Sequence, residues 1–450
     1  MKQERGMAAP GHFPRPWLRS GRPVPRVMVR PIERFLQREA GSASLLLTAA
    51  VAALVWANLG PDSYDRFWSA SAAVELGPLT LEEDVRHLVN DLLMAVFFYV
   101  VALEVKREVL FGSLREARSA AVPVAAALGT MVGGAAVYVA INVGGGELRG
   151  WAIPIATDIA FALGVLGLAG KRAPRELRAF LLTLAVVDDI GTIAVIAVFF
   201  SEGISVIWLA AGVLLALSIL AFQRLGVRHL VWYVVLAAAL WLAVFESGVH
   251  GTIAGVVLGF LTPAAAFYPR KETAGVIGDQ LAGITDSESD VSESTMLETS
   301  RLARETVSPL ARVEEQLHPW SAYVILPVFA LANAGVPVSL AGVVEALTGR
   351  VGLGIALGLV VGAPLGGVLF AWLVVSRGPA RMPEGLDWPA LGGVAPLKGI
   401  GFTVAIFISV LAFDDEALRE QAKLAILTAS ALAGAIGLAV LYGRHLAVRR

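Results

Sequence analysis

The chain has 450 residues, of which 56% are hydrophobic and 16% charged, and its mean hydropathy is +0.71. Soluble domains of this length are far less apolar, so the composition predicts a polytopic membrane protein. The formal charge of −1 argues against nucleic acid as a partner, and a chain without cysteine has no disulfide, thiolate nucleophile or Cys-based metal site.

Apolar stretches near twenty residues predict about twelve transmembrane helices, because a helix of that length crosses the hydrocarbon core of a bilayer. The predicted spans are residues 42–59, 87–110, 119–141, 151–170, 177–200, 204–223, 229–246, 247–262, 319–337, 351–376, 391–413 and 421–443. The predicted fold class is therefore an all-α polytopic membrane protein.

The remaining segments divide the chain around these spans. Residues 1–40 are predicted to be a basic cytoplasmic arm, since they contain no apolar run typical of a signal peptide. Spans one to eight occupy 41–262, a polar cytoplasmic loop 263–318, and spans nine to twelve with a short tail 319–450, all in one membrane domain. Basic connections alternate with mainly acidic ones, so the positive-inside rule places both termini in the cytoplasm.

The connection between spans one and two carries a weak strand signal. Residues 73–81 form two short runs of alternating polarity around a Gly-Pro pair. This pattern predicts a β-hairpin on the outer side of the membrane.

Span four and span eleven contain residues that interrupt a helix. Pro154 precedes the acidic Asp158 by four positions, and Pro396 lies among glycines close to Lys398. Interrupted segments at corresponding positions of two halves indicate a binding site at the interface of inverted repeats. We therefore predict that spans 3–5 mirror spans 10–12 and that the discontinuous helices 4 and 11 cross. There Asp158 would neutralise the freed amino ends and Lys398 the freed carboxyl ends.

Two adjacent acids, Asp188 and Asp189, lie in the middle of span five. A carboxylate at the centre of a membrane helix costs about 2.5 to 3.5 kcal/mol, so a pair of them indicates a polar, working cavity. Neighbouring residues on a helix point about 100° apart, so one acid can face an ion while the other faces another helix. The pair is the predicted site.

Seven motifs resemble those of the NhaA-type sodium/proton antiporters in order and spacing. They are NDLLMAVFF at 90–98, LEVKRE at 103–108, ATDIAFALG at 156–164, VDDIG at 187–191, SGVHGTIAG at 247–255, LHPW at 317–320 and GIGFT at 399–403. The resemblance runs from about residue 32 to the end and fails only in the insertion at 265–310. This family is itself an example of inverted-repeat architecture, so the two lines of argument overlap.

The resemblance implies a secondary active transporter that exchanges cytoplasmic Na⁺ or Li⁺ for external protons by alternating access, with regulation by pH. Asp189 would bind the cation, Asp188 would assist it and take part in proton exchange, and Thr157 and Asp158 would lie at the helix crossing. The resemblance implies no enzymatic activity and no cofactor, since Na⁺, Li⁺ and H⁺ are the transported ions. It also implies a bacterial inner-membrane protein and a homodimer formed through the outer hairpin 73–81.

Further residues match positions of the family that line a funnel or respond to pH. Asn90 and Asp91 would lie in a funnel near Asp188, and His250 matches a position linked to the pH response. The cytoplasmic pH-sensing cluster is matched by Glu104, Arg107, Glu108 and Glu314. The competing interpretations are an ordinary interfacial acid for Asp91, a solvated helix end for the cluster and a structural role for His250.

One residue departs from the family pattern. Span ten of the family resembles Gly-Lys-Pro-Leu-Gly, whereas this chain has alanine at position 363, followed by Pro364. We predict that Lys398 replaces the missing lysine in balancing charge and in pairing with Asp188. The alternative is that Lys398 only neutralises helix ends, and the electrogenicity stays open in either case.

Other classes of protein fit the sequence less well. A sodium-coupled small-solute symporter of related crossed-helix architecture needs a roomier site with more polar side chains than the two apolar broken spans offer. An intramembrane aspartyl protease needs its two acids on separate, facing helices, which an adjacent pair cannot provide. A channel is disfavoured because buried acids and broken helices are typical of ion carriers.

Overall fold

The structure is a computed structural model that describes residues 39–76, 79–145, 147–169, 175–201, 203–269, 272–279, 293–378, 380–383 and 385–448. Nearly all of the predicted basic arm, the hairpin tip and much of the acidic part of the long loop lie outside the described residues.

The chain is built almost entirely from helices. In chain order the elements are α1 Glu39–Leu59, α2 Pro61–Trp68, β1 Ser71–Leu76, β2 Leu79–Asp84, α3 Val85–Phe111, α4 Ala117–Asn142, a 3₁₀ helix Leu148–Ile155, α5 Ile159–Ala169, α6 Arg175–Phe199, α7 Val206–Arg224, α8 Leu230–Glu246, α9 Thr252–Leu261, α10 272–279, α11 Glu293–Glu305, α12 Pro309–Trp320, α13 Leu326–Asn333, α14 Leu340–Thr348, α15 Arg350–Arg377, α16 Trp388–Val394, a 3₁₀ helix Ala395–Gly399, α17 Phe402–Ala412 and α18 Glu416–Val448. A π-helical stretch, Ser321–Ile325, joins α12 to α13.

The described residues include seven helices that are long and apolar enough to cross a membrane, namely α1, α3, α4, α6, α7, α15 and α18. The number rises to nine if each of two bent helix pairs counts as one span. These pairs are 148–155 with 159–168, bent by 42°, and 388–399 with 402–412, bent by 44°. The prediction of a helical, multi-pass membrane protein is therefore confirmed, and both predicted breaks coincide with the bends.

The hairpin lies between α2 and α3. Strands β1 and β2 pair antiparallel, with Ser71 opposite Asp84 and Val74 opposite Leu81. The pairing occupies the stretch for which the sequence predicts a hairpin, and it marks one end of the molecule, which we call the hairpin end. The opposite end, where α3 finishes beside α9 and α12, is called the long-loop end.

Glycines bring α4 and α15 into close contact. Gly129 of α4 faces Gly366 of α15, and Gly133 faces Gly362, so the two helices run antiparallel. A Cβ atom at any of these four positions would overlap the backbone of the other helix. Small residues of this kind allow membrane helices to pack backbone against backbone. The contact joins predicted span three to predicted span ten, the first helices of the two proposed repeats.

The two bent pairs lie inside the protein. Nearly every residue of α17 is buried, including Phe407, whose ring contacts those of Phe98 and Phe329. The 3₁₀ helix Leu148–Ile155 is buried from residue 152 onwards. Non-helical backbone in a membrane is tolerated where protein surrounds it, so this burial permits the breaks.

Candidate ion-exchange site

The two helix breaks contact each other directly. Asp158, in the break between the first 3₁₀ helix and α5, donates its backbone N–H to the carbonyl of Ile400, in the other break, at 2.6 Å. Backbone N–H and C=O groups that make no helical hydrogen bond need other partners within a membrane, where there is no water to bind them. Here the N–H of one break pairs with the carbonyl of the other. The contact therefore holds residues 156–158 against residues 400–401.

The carboxylate of Asp158 caps two helices at once. Its Oδ1 accepts from the backbone N–H of Phe161 in α5 at 2.9 Å. Its Oδ2 accepts from the backbone N–H of Thr403 at 3.1 Å and from the Thr403 hydroxyl at 2.6 Å, at the start of α17. The amino end of a helix carries partial positive charge and unpaired N–H groups, so this buried anion is stabilised by both helix starts.

Asp188 is buried and fully engaged. It is 1% exposed, its Oδ2 accepts from Thr157 Oγ1 at 2.8 Å, and its Oδ1 accepts from Thr130 Oγ1 at 3.2 Å. The ammonium of Lys398 forms an ion pair with Oδ2 and also donates to Thr157 Oγ1 at 2.8 Å. Lys398 is the last residue but one of the second 3₁₀ helix, and its hydrogen-bond partners among the described residues are side chains, not carbonyls at the carboxyl ends of helices. The negative charge of Asp188 thus has a positive partner at contact distance.

Asp189 differs from its neighbour. It is partly buried, and its carboxylate makes no hydrogen bond or ion pair with any residue that the structure describes. Successive residues on α6 point about 100° apart, which is why the two acids have different surroundings. Of the two acids, Asp189 is therefore the one without a partner among the described residues.

A small cavity adjoins the two helix breaks. Its volume is about 10 Å³, and its lining includes Thr157, Asp158 and Lys398. A space of this size is close to the minimum that one water molecule needs. The rest of its lining is apolar, and neither Asp188 nor Asp189 belongs to it.

Asn90 and Asp91 lie in a π-helical stretch of α3, Val89–Leu93, which turns both side chains inward. Asn333 Nδ2 donates to Asn90 Oδ1 at 2.7 Å, and His250 Nε2 lies 3.3 Å from Asp91 Oδ1. The family resemblance places these residues in a funnel near Asp188, which stays a prediction, and their side-chain contacts are with Asn333 and His250.

Charged residues at the long-loop end form ion pairs between α3 and α12. Arg107 Nη1 contacts Glu314 Oε1 at 2.7 Å, and Glu104 Oε1 lies 3.6 Å from His318 Nε2. Burial raises the pKa of Glu314 and lowers the pKa of His318, so both groups move towards their neutral forms.

Glu108, which the sequence assigns to the same cluster, has different partners. Its Oε1 accepts from the backbone N–H of Ser113 at 2.7 Å and from the Ser113 hydroxyl at 2.5 Å. The hydroxyl of Ser113 also lies 2.7 Å from Thr183 Oγ1 of α6. Glu108 therefore holds Ser113 in the turn after α3, and Ser113 in turn contacts α6, the helix that carries the two acids.

Four residues of these contacts were not selected as site residues from the sequence: Thr130, Asn333, Thr403 and His318. Thr403 and His318 lie within motifs of the family resemblance, so they were visible as candidates. Thr130 and Asn333 are polar residues with apolar or small neighbours in the middle or latter part of their predicted spans. A search for isolated hydrogen-bonding side chains within spans would have found both of them.

Comparisons with known proteins point to a single family. The family model described as Na⁺/H⁺ antiporter 1 matches residues 33–441. The Na⁺/H⁺ antiporter NhaA of Rhodopirellula baltica is 42% identical over 417 residues, which cover 92% of this chain and 94% of that protein. NhaA of Oleidesulfovibrio alaskensis is 44% identical over 416 residues, covering 90% and 92%. NhaA 2 of Myxococcus xanthus is 42% identical over 419 residues, covering 92% and 89%.

The double cap predicts that Asp158→Asn destabilises the fold. An amide keeps one acceptor oxygen, so one of the two buried helix starts loses its partner, at a cost of about 1–3 kcal/mol. Thermal unfolding in detergent should show a clearly lower midpoint. Asp387→Asn is the control, because Asp387 accepts from Ala390 N at the start of α16 and asparagine caps a single helix start about as well as aspartate. Equal midpoints for the two variants would contradict the double cap.

Proposed function

Since this chain belongs to the Na⁺/H⁺ antiporter 1 family, with NhaA antiporters as its relatives, and exchanges Na⁺ for protons, we propose that the two ions compete at Asp189. The observation that carries this proposal is the unequal state of the acid pair. Asp188 is neutralised by Lys398, whereas Asp189 beside it has no partner in the described residues. An unpartnered carboxylate binds either a proton or a hard cation, and each displaces the other.

The neighbouring residues have supporting roles in this proposal. Asp188 assists Na⁺ binding and proton exchange while held by Lys398, and Thr157 links the two through its hydroxyl. Asp158 stabilises the crossing through both helix starts.

The architecture that we propose has about twelve spans, with the bent pairs as crossed helices 4 and 11 of inverted repeats. The backbone contact between the breaks and the reciprocal glycine contacts between α4 and α15 support it. Alternating access then arises from movement of the repeat bundle against the remaining spans. We place the protein in the bacterial inner membrane with both termini and the long loop in the cytoplasm.

Regulation by pH is assigned to the ion pairs at the long-loop end. Glu104, Arg107 and Glu314 connect α3 to α12, with His318 as a fourth member. Burial raises the pKa of Glu314, so this group changes its protonation closer to neutral pH than an exposed glutamate does. Burial lowers the pKa of His318, so this group changes its protonation at a more acidic pH than an exposed histidine does. We keep Glu108, Asp91 and His250 as further candidates for the pH response.

The first prediction of the exchange proposal concerns Asp189→Asn. The amide preserves shape but neither carries charge nor releases a proton, so Na⁺-driven proton release from the purified protein should be abolished while the protein stays folded. Asp188→Asn should be impaired less completely, with weak Na⁺ binding retained. A pH dye in proteoliposomes measures both. Normal exchange by Asp189→Asn would refute its assigned role.

We propose that Lys398 provides the positive charge that pairs with Asp188, in place of the lysine that the family pattern has at position 363. Ala363 is fully buried on α15, one helical turn before Gly367, which faces Thr130, a donor to Asp188. A side chain at position 363 therefore starts from a face of α15 close to Asp188. The two lysine positions approach the same carboxylate from different helices.

A reciprocal exchange of residues tests this relocation. Lys398→Ala should impair exchange and shift its pH profile, because Asp188 loses its buried counter-charge and becomes easier to protonate. Adding Ala363→Lys to that variant should restore the profile in part. The measurement is proton release and voltage dependence in proteoliposomes. An unaltered pH profile and voltage dependence in Lys398→Ala would show that Lys398 does not compensate charge.

We also propose a homodimer joined through the hairpin, because a two-stranded sheet leaves strand edges to which a second copy can pair. Deletion of 73–81 should give monomers in mild detergent with exchange largely preserved, measured by light scattering with size exclusion. Deletion of 282–290 in the long loop is a control of equal length. A dimer population unchanged by the hairpin deletion would exclude this interface.

A further inference from the structure

A second cavity lies at the hairpin end, away from the two acids. Its volume is about 90 Å³, enough for roughly three water molecules. It lies between α2, the first turn of α3, the connection after α13 and the first turns of α18. Its charged lining residues are Asp65, Arg86, Glu416, Arg419, Glu420 and Lys423.

Lys423 is a buried lining charge without a hydrogen-bond or ion-pair partner in the part of the chain that the structure describes. It is 7% exposed, on a helix long and apolar enough to span a membrane, and its ammonium makes no hydrogen bond or ion pair with any described residue. By contrast, Arg86 Nη2 lies 3.6 Å from Asp65 Oδ1, and Arg419 Nε donates to the carbonyl of Phe413 at 2.5 Å. An unpaired buried ammonium destabilises a membrane protein, so fold stability does not account for this lysine.

The charges are sorted by depth. The side chain of Asp65 is 69% exposed and Glu416 is also exposed, so carboxylates form the mouth, whereas Lys423 is at the buried floor. Asn333 also lines the cavity and contacts Asn90, which directly precedes Asp91. Asn333 thus connects the cavity to the π-helical stretch of α3.

We propose that this cavity is the ion vestibule of the hairpin end, and that Lys423 lowers the affinity for Na⁺ approaching from that side. The positive charge at the floor raises the free energy of a second cation there, which favours release of Na⁺ over its return. The inference rests on the proposed exchange and adds an asymmetry between the two sides. The long-loop end, where Arg107 is paired with Glu314, has a different charge arrangement.

The test measures the apparent KM for Na⁺ separately from each side in proteoliposomes. Because the chain has no cysteine, a single Cys introduced at exposed Ser69 reports orientation through an impermeant thiol reagent. Lys423→Met should lower the hairpin-side KM by about three- to tenfold, as expected for one unit charge acting across a partly watery cavity. The KM from the other side should not change, and the difference should shrink at high ionic strength.

Three further variants separate this effect from general changes. Glu420→Gln removes a lining acid and should raise the hairpin-side KM, and Lys423→Arg should keep the wild-type value. Arg66→Met removes an exposed charge from α2 that does not line the cavity, so it should change neither KM.

The outcomes distinguish this inference from the proposed function. If the wild-type protein shows no Na⁺-coupled proton movement from either side, the proposed function itself fails. If the wild type exchanges ions but Lys423→Met alters both sides equally or neither, Lys423 has no sided role. Should Lys423→Met not fold, an unchanged hairpin-side KM in Glu420→Gln would overturn the inference by itself.

Discussion

The rest of the structure depends on one constraint: backbone freed from a helix inside a membrane must find its hydrogen bonds within the protein. Here each break supplies what the other lacks. The N–H of Asp158 bonds the carbonyl of Ile400, and the carboxylate of Asp158 accepts from the starts of both α5 and α17. Because each break supplies hydrogen-bond partners to the other, each depends on the other for its buried backbone groups. The same constraint explains why nearly all of α17 is surrounded by protein.

The arrangement of charge follows from these breaks. The carboxylate of Asp158 accepts from two helix starts and that of Asp188 pairs with Lys398, so the region of the two breaks contains two stabilised anions and one cation. Asp189 is the remaining acid, and in the proposed exchange its charge changes when it binds Na⁺ or a proton. Because the other charges are already compensated, the proposal lets these two ions exchange at one carboxylate without rearranging the rest.

Helix α3 connects the two ends of the molecule to this centre. Near the hairpin end it carries Arg86 at a cavity with the unpaired Lys423, and near the long-loop end it carries Arg107 in an ion pair with Glu314. Between them the π-helical stretch turns Asn90 and Asp91 inward. Among the described residues, the hairpin end thus has an unpaired cation, Lys423 of α18, whereas the long-loop end has a paired one, Arg107 of α3. In the proposed exchange, this difference is a physical basis for different ion affinities on the two sides.

The sequence by itself determined the class of protein and the position of the two helix breaks, and it singled out the acid pair as the predicted site. These follow from local properties: apolar length, Pro and Gly within spans, and the cost of carboxylates in a membrane. The number of spans is harder to establish. Helices α8 and α9 are shorter than a typical membrane-spanning helix, and a π-helical stretch divides predicted span nine. Only the tertiary structure decided which acid is paired. Lys398 is 210 residues from Asp188, and Thr130 reaches the same carboxylate from a third helix. The partner of Asp91, His250, was likewise set by helix packing, since a residue's sequence neighbours do not reveal which distant helix its side chain will face.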